Sequence, residues 1–516
     1  MYYIYEVIFL TSKVITATLN GACCNLISVE VDISHGLPSF NIVGLADTSV
    51  KESKERVKSA ITNSGYEFPI SKITVNLSPA DIRKEGSSFD LPIALAILAA
   101  TDQINNENFK DYIVLGELSL FGEINKIRGA LPIALEAMEN NFMNLIVPIN
   151  NANECAIIDK INVYPFSSLK EVIHYICYKD LLPYKINTPA VLSNSHKEKD
   201  FCEIAGQESC KRALEIAAAG SHNIIMFGPP GCGKTMLAER FPSIIPNLNY
   251  EESLEVTKIY SIAGKLDKNS SLITKRPFRS PHSTSSQVAL TGGGTHLIPG
   301  EISLAHNGVL FLDELLEFKK GVLEALRQPL EDKKITISRF NGSATYNSNF
   351  ILLGTLNPCP CGFLGSEKPC SCSDYQIKRY LNKLSGPLLD RIDIFTFVSS
   401  LSYSQIANNK NSESSDIIKK RVTIAREMQK RRFINDGIYT NSQMKGIHLK
   451  KYCNLNKEAS NILERIYDNF NLSVRSYSRI LKVARTIADL NSNNKIQKED
   501  IIEALQYRKF VNNDIL

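Results

Sequence analysis

The run GPPGCGKT at residues 228–235 has the spacing of a phosphate-binding loop, GxxxxGK[ST]. Gly228, Gly231 and Gly233 let the backbone close around phosphate oxygens at the start of a helix, with Pro229, Pro230 and Cys232 completing the loop. Lys234 is placed to reach the β- and γ-phosphates of ATP, and Thr235 to hold Mg²⁺. A partner for this loop lies in GVLFLDEL (308–315), an apolar strand ending in two carboxylates. Asp313 is expected in the Mg²⁺ shell, and Glu314 is expected to orient or deprotonate the attacking water. A further apolar strand, FILLGTLN, ends in Asn357, which suits a sensor of the γ-phosphate or the water. Together these residues specify ATP hydrolysis, not nucleotide binding alone.

Immediately after Asn357, NPCPCGFLGSEKPCSC holds Cys359, Cys361, Cys370 and Cys372 as two C-x-C pairs. Four thiolates from one proline-containing loop can make a closed tetrahedral zinc site. The pair spacing is tighter than the usual zinc spacing, and the alternative is four reduced free thiols. Four sulfur ligands leave no position for water, so such a zinc would be structural. Cys232 reads as incidental.

The elements that must carry these residues follow from periodicity. An apolar strand at 224–227 precedes the phosphate loop and a helical stretch follows it, within a region of strands, glycine-rich turns and helices that begins near Phe201. Upstream, LISVEVDIS places Ile27, Val29, Val31 and Ile33 at period two, FNIVGL reads as a second strand, and SKITVNLSP as a third. Between them, TSVKESKERVKSAITNSG has helical spacing through Val50, Val57 and Ile61, with Gly65 as its stop. Residues 181–200 are polar with two prolines and read as a linker. After about 400 the chain turns mostly helical, with a polar, mobile stretch expected at 408–416.

A chain of 516 residues holds two or three domains. Its 43 % hydrophobic and 22 % charged content is that of an ordinary soluble protein, and its longest apolar run, 91–100, is too short to cross a bilayer. Twelve cysteines and no export signal point to a reducing, cytoplasmic compartment without a membrane partner. A net charge of +5 means that any nucleic-acid contact must come from local basic patches.

The series GPPGCGKT, SPHSTSSQVALTGGG, GVLFLDEL, EALRQPLED, GTLNPCPCG and SGPLLDRID resembles the magnesium-chelatase-like branch of the AAA+ ATPases, and more closely the bacterial ComM/YifB family. The likeness runs from about Ser12 onward and includes GLPSFNIVGLADTSVKESKERV; the first ten residues fall outside it. It implies a multidomain chain. A Lon-like α+β domain of the ribosomal-S5-domain-2 type is expected over 11–180, the linker over 181–200, an α/β AAA+ core over 201–400 and a helical lid over 401–516. It also implies a homo-oligomeric ring, a hexamer, with ATP at subunit boundaries. Arg391, in LLDRID, matches the arginine-finger position, and Arg475 or Arg479 the second sensor, with Arg475 preferred. The family places a β-hairpin insert facing the ring channel at KRPFRSPHSTSSQVALTGGG (275–294). There Lys275, Arg276, Arg279 and His282 would offer phosphate contacts and Phe278 a stacking surface. A second hairpin, EDKKITISRFNGSATY, would turn at Asn341-Gly342 and carry Lys333, Lys334 and Arg339 toward the channel. For each of these basic residues a solvated surface charge is the competing reading.

KEGSSFDLPIALAIL (84–98) resembles the nucleophile turn of Lon-type serine proteases, with Ser88 at the serine position. In the matching downstream segment, GELSLFGEINKIRGALP, Leu131 stands where the catalytic lysine is expected; Lys126 lies five residues upstream and Lys84 precedes the serine. Without its base, Ser88 has ordinary alcohol reactivity. The leading expectation is a ring ATPase that moves along branched DNA and promotes branch migration in recombination or natural transformation. The alternatives are a chelatase-like metal-insertion or protein-remodelling ATPase, and an ATP-dependent protease, which Leu131 opposes.

Overall fold

Alternating burial builds the first sheet. Strands β1 (Leu10–Asn20) and β2 (Cys23–Ser34) pair antiparallel with Val14 opposite Val29, and Ile27, Val29 and Val31 all point inward. The expected second and third strands are β3 (Ser39–Val43) and β4 (Lys72–Ser78). With β5 (Tyr112–Val114), β6 (Asn144–Pro148) and β7 (Asn162–Phe166) they form one mixed sheet in the order β3-β4-β2-β1-β5-β6-β7. The computed structural model describes residues 10–186, 199–267, 271–294, 297–339, 342–365, 368–401, 412–469 and 472–508.

Helix α1 (Thr48–Asn63) starts at Asp47, whose carboxylate accepts from Val50 N at 2.8 Å, and buries Val50, Val57 and Ile61 as the spacing predicts. It packs on α2 (Asp90–Ala100), every residue of which is buried. Asp90 enters that apolar interior because Arg56 Nε donates to it at 2.6 Å and Leu118 N at 3.2 Å, with Ser53 as a third donor. Leu131 is buried on α3 (Ala130–Glu139). Lys84 turns to the carbonyl of Pro79, while Lys126 Nζ donates to Leu266 O at 3.0 Å, outside this sheet altogether. Each lysine has its own partner, and neither is bonded to Ser88.

Of the expected linker, Tyr184 N still bonds Val163 O at 2.7 Å, and residues 187–198 lie outside the described residues. The second sheet is wholly parallel, in the order β9-β10-β13-β8-β14. Its strands are β8 (Ile224–Phe227), β9 (Phe278–Arg279), β10 (Val309–Leu312), β13 (Ile351–Leu356) and β14 (Ile394–Phe397). Between β10 and β13, β11 (Lys334–Arg339) and β12 (Gly342–Asn347) form a separate antiparallel hairpin. Helix α4 (Glu208–Gly220) covers one face of the sheet, α5 (Lys234–Arg240) follows the phosphate loop, and α6 (Tyr250–Ile262) begins at a capping box on Asn249. C-terminal helices α7 (Ser415–Arg432) and α8 (Val474–Leu490) pack on α4 through Val422, Ala425, Ile480, Val483 and Ile487. Of the polar stretch at 408–416, residues 408–411 lie outside the described residues, and Ser415 already belongs to α7, its Oγ accepting from Phe201 N at 2.9 Å. No helix among the described residues is long and apolar enough to cross a membrane.

Candidate active site

In a parallel sheet the carboxyl ends of the strands share one edge, and ligands bind there. Three loops leave that edge side by side: Gly228–Lys234 after β8, Asp313-Glu314 after β10, and Asn357 after β13. A Cβ on Gly228 would lie 2.2 Å from Val398 O, so only glycine fits against β14. Lys234 Nζ arches over the loop and donates to Gly228 O at 2.6 Å, Pro229 O at 2.9 Å and Asn357 Oδ1 at 3.1 Å. Burial lowers its pKa, as expected of an ammonium held away from water without a bound anion. The contact with Asn357 joins the phosphate-loop lysine to the expected sensor.

Thr235 Oγ1 donates to Asp313 Oδ2 at 3.0 Å, which sets two hard oxygen ligands together where Mg²⁺ is expected. The other oxygen of Asp313 accepts from Thr355 Oγ1, and Thr355 Oγ1 in turn accepts from Glu314 N at 2.9 Å. Thr355 was not singled out in the sequence; its position two residues before Asn357 is the one signal that places it at this edge. Glu314 has φ 50°, a left-handed conformation that costs a non-glycine residue about 1–2 kcal/mol. Cys232 is half-buried against the core, and burial raises its pKa, consistent with an incidental packing role.

The four cysteines after Asn357 converge. Cys359 Sγ lies 3.3 Å from Cys361 Sγ and 3.6 Å from Cys370 Sγ, Cys361 and Cys370 are 3.5 Å apart, and all four sulfurs fall within 4.8 Å of one another. A tetrahedron with Zn–S bonds of about 2.3 Å has sulfurs about 3.8 Å apart, so this cage has the dimensions zinc requires. Leu364 N and Cys361 N point at the sulfurs of Cys359 and Cys372, at 3.4 Å each. Such donors favour thiolates; those of Phe363 and Ser371 pull Cys361 down to about 6, while its sulfur neighbours push Cys370 up to about 12. The loop leans on the phosphate loop, since a Cβ on Gly362 would lie 2.7 Å from Pro230 Cδ.

Arg391 and Arg475 come together, but not here. Arg391 precedes β14, and its carbonyl accepts from Asn223 Nδ2 at 2.9 Å just before β8, which puts it on the amino edge of the sheet. A four-residue strand separates that edge from the phosphate loop by about 13 Å. Arg391 Nη1 donates to Pro387 O at 2.6 Å, and Nη2 pairs with Glu331. Arg475 bonds Asp390 at 3.1 Å with its side chain 68 % exposed, whereas Arg479 is 20 % exposed and pairs with buried Asp393. Burial opposes a charge on Asp393, but Arg479 and His222 outweigh it and hold its pKa well below the usual carboxylate range. Arg479 is thus held by a buried partner, while Arg475 pairs with a half-exposed one, and both line the same cavity. A cavity of about 980 Å³ on this edge is lined by Arg391, Arg475, Arg479, Lys482 and Lys333.

Several of the basic residues expected to meet DNA have partners within the fold. Arg276 donates to Pro246 O at 2.6 Å and Asn307 O at 2.7 Å and pairs with Glu252 at 3.0 Å, while Arg279 grips Glu301 at 2.6 and 2.8 Å. Phe278 stacks on Phe311 inside the fold, with ring centroids 5.7 Å apart. Both arginines are held by internal acceptors because 278–279 is a strand of the parallel sheet and not a hairpin insert. The insert's two short strands come later, Gly292–Gly293 against Ile298–Pro299. Lys275 and His282 stay exposed. The second hairpin forms as expected, with Ile335 and Ile337 inward, Lys334 and Arg339 outward and Arg339 opposite Gly342; Asn341 lies outside the described residues. Lys333 precedes the hairpin and, like Lys334, lines the cavity at the amino edge.

Three family descriptions match in sequence: "Magnesium chelatase, subunit ChlI" over residues 200–406, the ChlI subunit of Mg-chelatase over 29–151, and the ChlI C-terminal region over 412–508. The chain is 43 % identical over 484 residues to YifB, an uncharacterized protein of Salmonella typhimurium, covering 93 % of this chain and 94 % of that one. It is 41 % identical over 496 residues to the competence protein ComM of Haemophilus influenzae, covering 95 % and 96 %. Lon protease 2 of Bacillus subtilis is 30 % identical over 166 residues, which spans 30 % of this chain. Nearly complete coverage by two such relatives, together with a phosphate loop, an Asp-Glu strand end and a sensor asparagine on one sheet edge, places the chain in the ComM/YifB family of magnesium-chelatase-type AAA+ proteins.

Proposed function

We propose that this protein is a ring-forming, ATP-driven DNA motor that promotes branch migration during recombination of incoming DNA. The observation that carries the reading is the division of one ATP site between two edges of the sheet. Lys234, Thr235, Asp313, Glu314 and Asn357 occupy the carboxyl edge, and Arg391 and Arg475 the amino edge. A head-to-tail ring joins these edges across each boundary, so that a neighbour's Arg391 stabilises charge on the γ-phosphate. Mg²⁺ held by Thr235 and Asp313 supplies charge neutralisation on the phosphates when bound. Glu314 orients the water, and Asn357 links the terminal phosphate to Lys234. Cys359, Cys361, Cys370 and Cys372 would hold a structural zinc, which would brace the loop that leaves Asn357. The hairpin β11–β12, with Lys334 and Arg339 on its outer face, is the element assigned to the DNA phosphates. The relative named a competence protein supports DNA taken up from outside as the substrate, and a cytoplasmic location follows from that role.

The test is ATP hydrolysis by the protein alone, with linear duplex, and with a synthetic four-way junction, scoring strand products in parallel and using Glu314→Gln as the control. Junction-stimulated hydrolysis with ATP-dependent strand exchange, lost in the variant, is expected. Hydrolysis indifferent to every DNA would sink the motor and favour protein remodelling or metal insertion.

A further inference from the structure

Lys333 is an unusual lysine. It ends the helix Arg327–Asp332 in a left-handed conformation, φ 56°, and directly precedes β11. Its backbone is pinned on both sides: Lys333 N donates to Pro329 O at 3.1 Å, and its carbonyl accepts from Ser348 N at 2.8 Å. The side chain lines the cavity at the amino edge, together with Arg391, Arg475, Arg479 and Lys482. Among the described residues its ammonium makes no hydrogen bond or ion pair. The nearby carboxylate, Asp393, is already taken by His222 Nδ1 at 3.0 Å and by Arg479. Lys482 turns its own ammonium to Ser442 O at 2.8 Å.

Lys333 is half-buried, and its surroundings show in its titration. Burial pushes Lys333 down to about 8; Asp393 opposes the shift, while Lys482 and Arg479 add to it. Two further donors on this wall point the same way, because the Nε atoms of Arg391 and Arg479 are buried with no acceptor. A cavity with an unpaired lysine, two orphaned guanidinium N–H groups and an exposed arginine lacks an anion. Of the carboxylates on this wall, Glu331, Asp390 and Asp393 already pair with Arg391, Arg475 and Arg479, and Glu251 and Asp332 make no ion pair with Lys333. The boundary reading supplies an anion, since the terminal phosphate of a nucleotide in the adjacent copy arrives beside Arg391.

We infer that Lys333 is a third cation of the boundary site and binds the γ-phosphate of the ATP carried by the neighbouring subunit. This rests on the boundary reading of Arg391. Because Lys333 sits at the root of the hairpin, the phosphate then also fixes the hairpin's base, and its release on hydrolysis frees it.

The experiment compares Lys333→Met, Lys333→Arg and Arg391→Ala with the full-length protein. Hydrolysis at saturating ATP, binding of a fluorescent ATP analogue, ring assembly and thermal melting are measured for each. Lys333→Met is expected to cut hydrolysis about 10- to 100-fold, the worth of one charge-assisted contact, and to weaken analogue binding by no more than that factor. Its melting temperature should rise, because the change removes an unpaired enclosed charge; a lysine with a merely structural role would give the reverse. Wild-type hydrolysis should fall on the alkaline side, at or above about 8, since a bound phosphate holds the proton of Lys333 more tightly than the cavity alone, and Lys333→Arg should abolish that fall while keeping activity. Should Lys333→Met fail to fold, the Lys333→Arg profile decides alone. Hydrolysis in Lys333→Met within twofold of wild type, with Arg391→Ala inactive, overturns the role of Lys333 and leaves the boundary site standing. Full activity in Arg391→Ala overturns both.

Discussion

Two inactive variants, co-expressed in equal amounts, should recover hydrolysis together. Glu314→Gln damages the carboxyl edge and leaves Arg391 intact; Arg391→Ala damages the amino edge and leaves Glu314 intact. Each alone should lose about 10³-fold or more, roughly 4 kcal/mol of transition-state stabilisation. In a mixed head-to-tail ring, a boundary works only when an Arg391→Ala subunit offers its Glu314 to the Arg391 of a Glu314→Gln neighbour. Each condition holds half the time, so about one quarter of boundaries are intact, whatever the number of subunits. The assay is steady-state phosphate release by rings purified through two different tags, with the single-variant rings as the floor. Folding should not confuse the result, because the partner that Arg391→Ala releases, Glu331, is 62 % exposed and such pairs contribute little. If Arg391 served the phosphate loop of its own chain, every site would carry one lesion and the mixture would stay at the floor. That outcome would refute the argument from strand direction.

Thr355→Val should weaken the dependence on Mg²⁺ by about 10- to 100-fold, because it removes the hydroxyl that orients Asp313; an unchanged Mg²⁺ titration would count against that role. Asp393→Asn should destabilise the fold by about 3–5 kcal/mol by leaving Arg479 buried beside a neutral group, read by denaturant unfolding. The pKa of Asp393 is depressed in the folded state, so its contribution is present above the unfolded value near pH 4 and lost as pH falls further. The wild-type unfolding midpoint should therefore drop in strong acid more steeply than that of the variant. The purified protein should carry about one zinc per chain, and Cys361→Ser should lower both metal content and melting temperature; metal-free protein with an unaltered melt would dismiss the cage.

The phosphate loop, the Asp313-Glu314 pair and Asn357 were legible in the sequence because each is a local run attached to an apolar strand, and a parallel sheet brings such strand ends together without further information. Thr355 was not legible, since its role depends on which strand lies beside β10, and that pairing is fixed by long-range packing. The partners of Arg276 and Arg279 were hidden for a related reason. A basic cluster looks available until its acceptors are known, and here these are Glu252 and Glu301, more than twenty residues away along the chain. The cysteine pairs gave the ligand type, but only the path of the loop shows that all four sulfurs converge. Arg391 and Arg475 were legible from the family likeness, while their position on the far edge needed the direction of β8 and β14.

The segment that carries a catalytic lysine in Lon-type enzymes has a different task in this chain. Lys126 and Gly129, within GELSLFGEINKIRGALP, bond to Leu266 O at 3.0 Å and Ser261 O at 3.1 Å, at the end of α6 and just beyond it. Ser261 Oγ donates in return to Glu154 at 2.6 Å, a carboxylate whose burial raises its pKa. The same block also reaches the hairpin. Gly21, in the turn between β1 and β2, has φ 61°, and a Cβ there would lie 2.2 Å from the Cβ of Ala344 on β12. The first sheet therefore holds both α6, whose Glu252 and Glu255 line the amino-edge cavity, and the hairpin that begins at Lys333. A Lon-type dyad would need a lysine amine beside Ser88. Here Lys126 is bonded to Leu266 O and Leu131 is buried in the core, so this segment is a seam between the N-terminal block and the block that holds the phosphate loop.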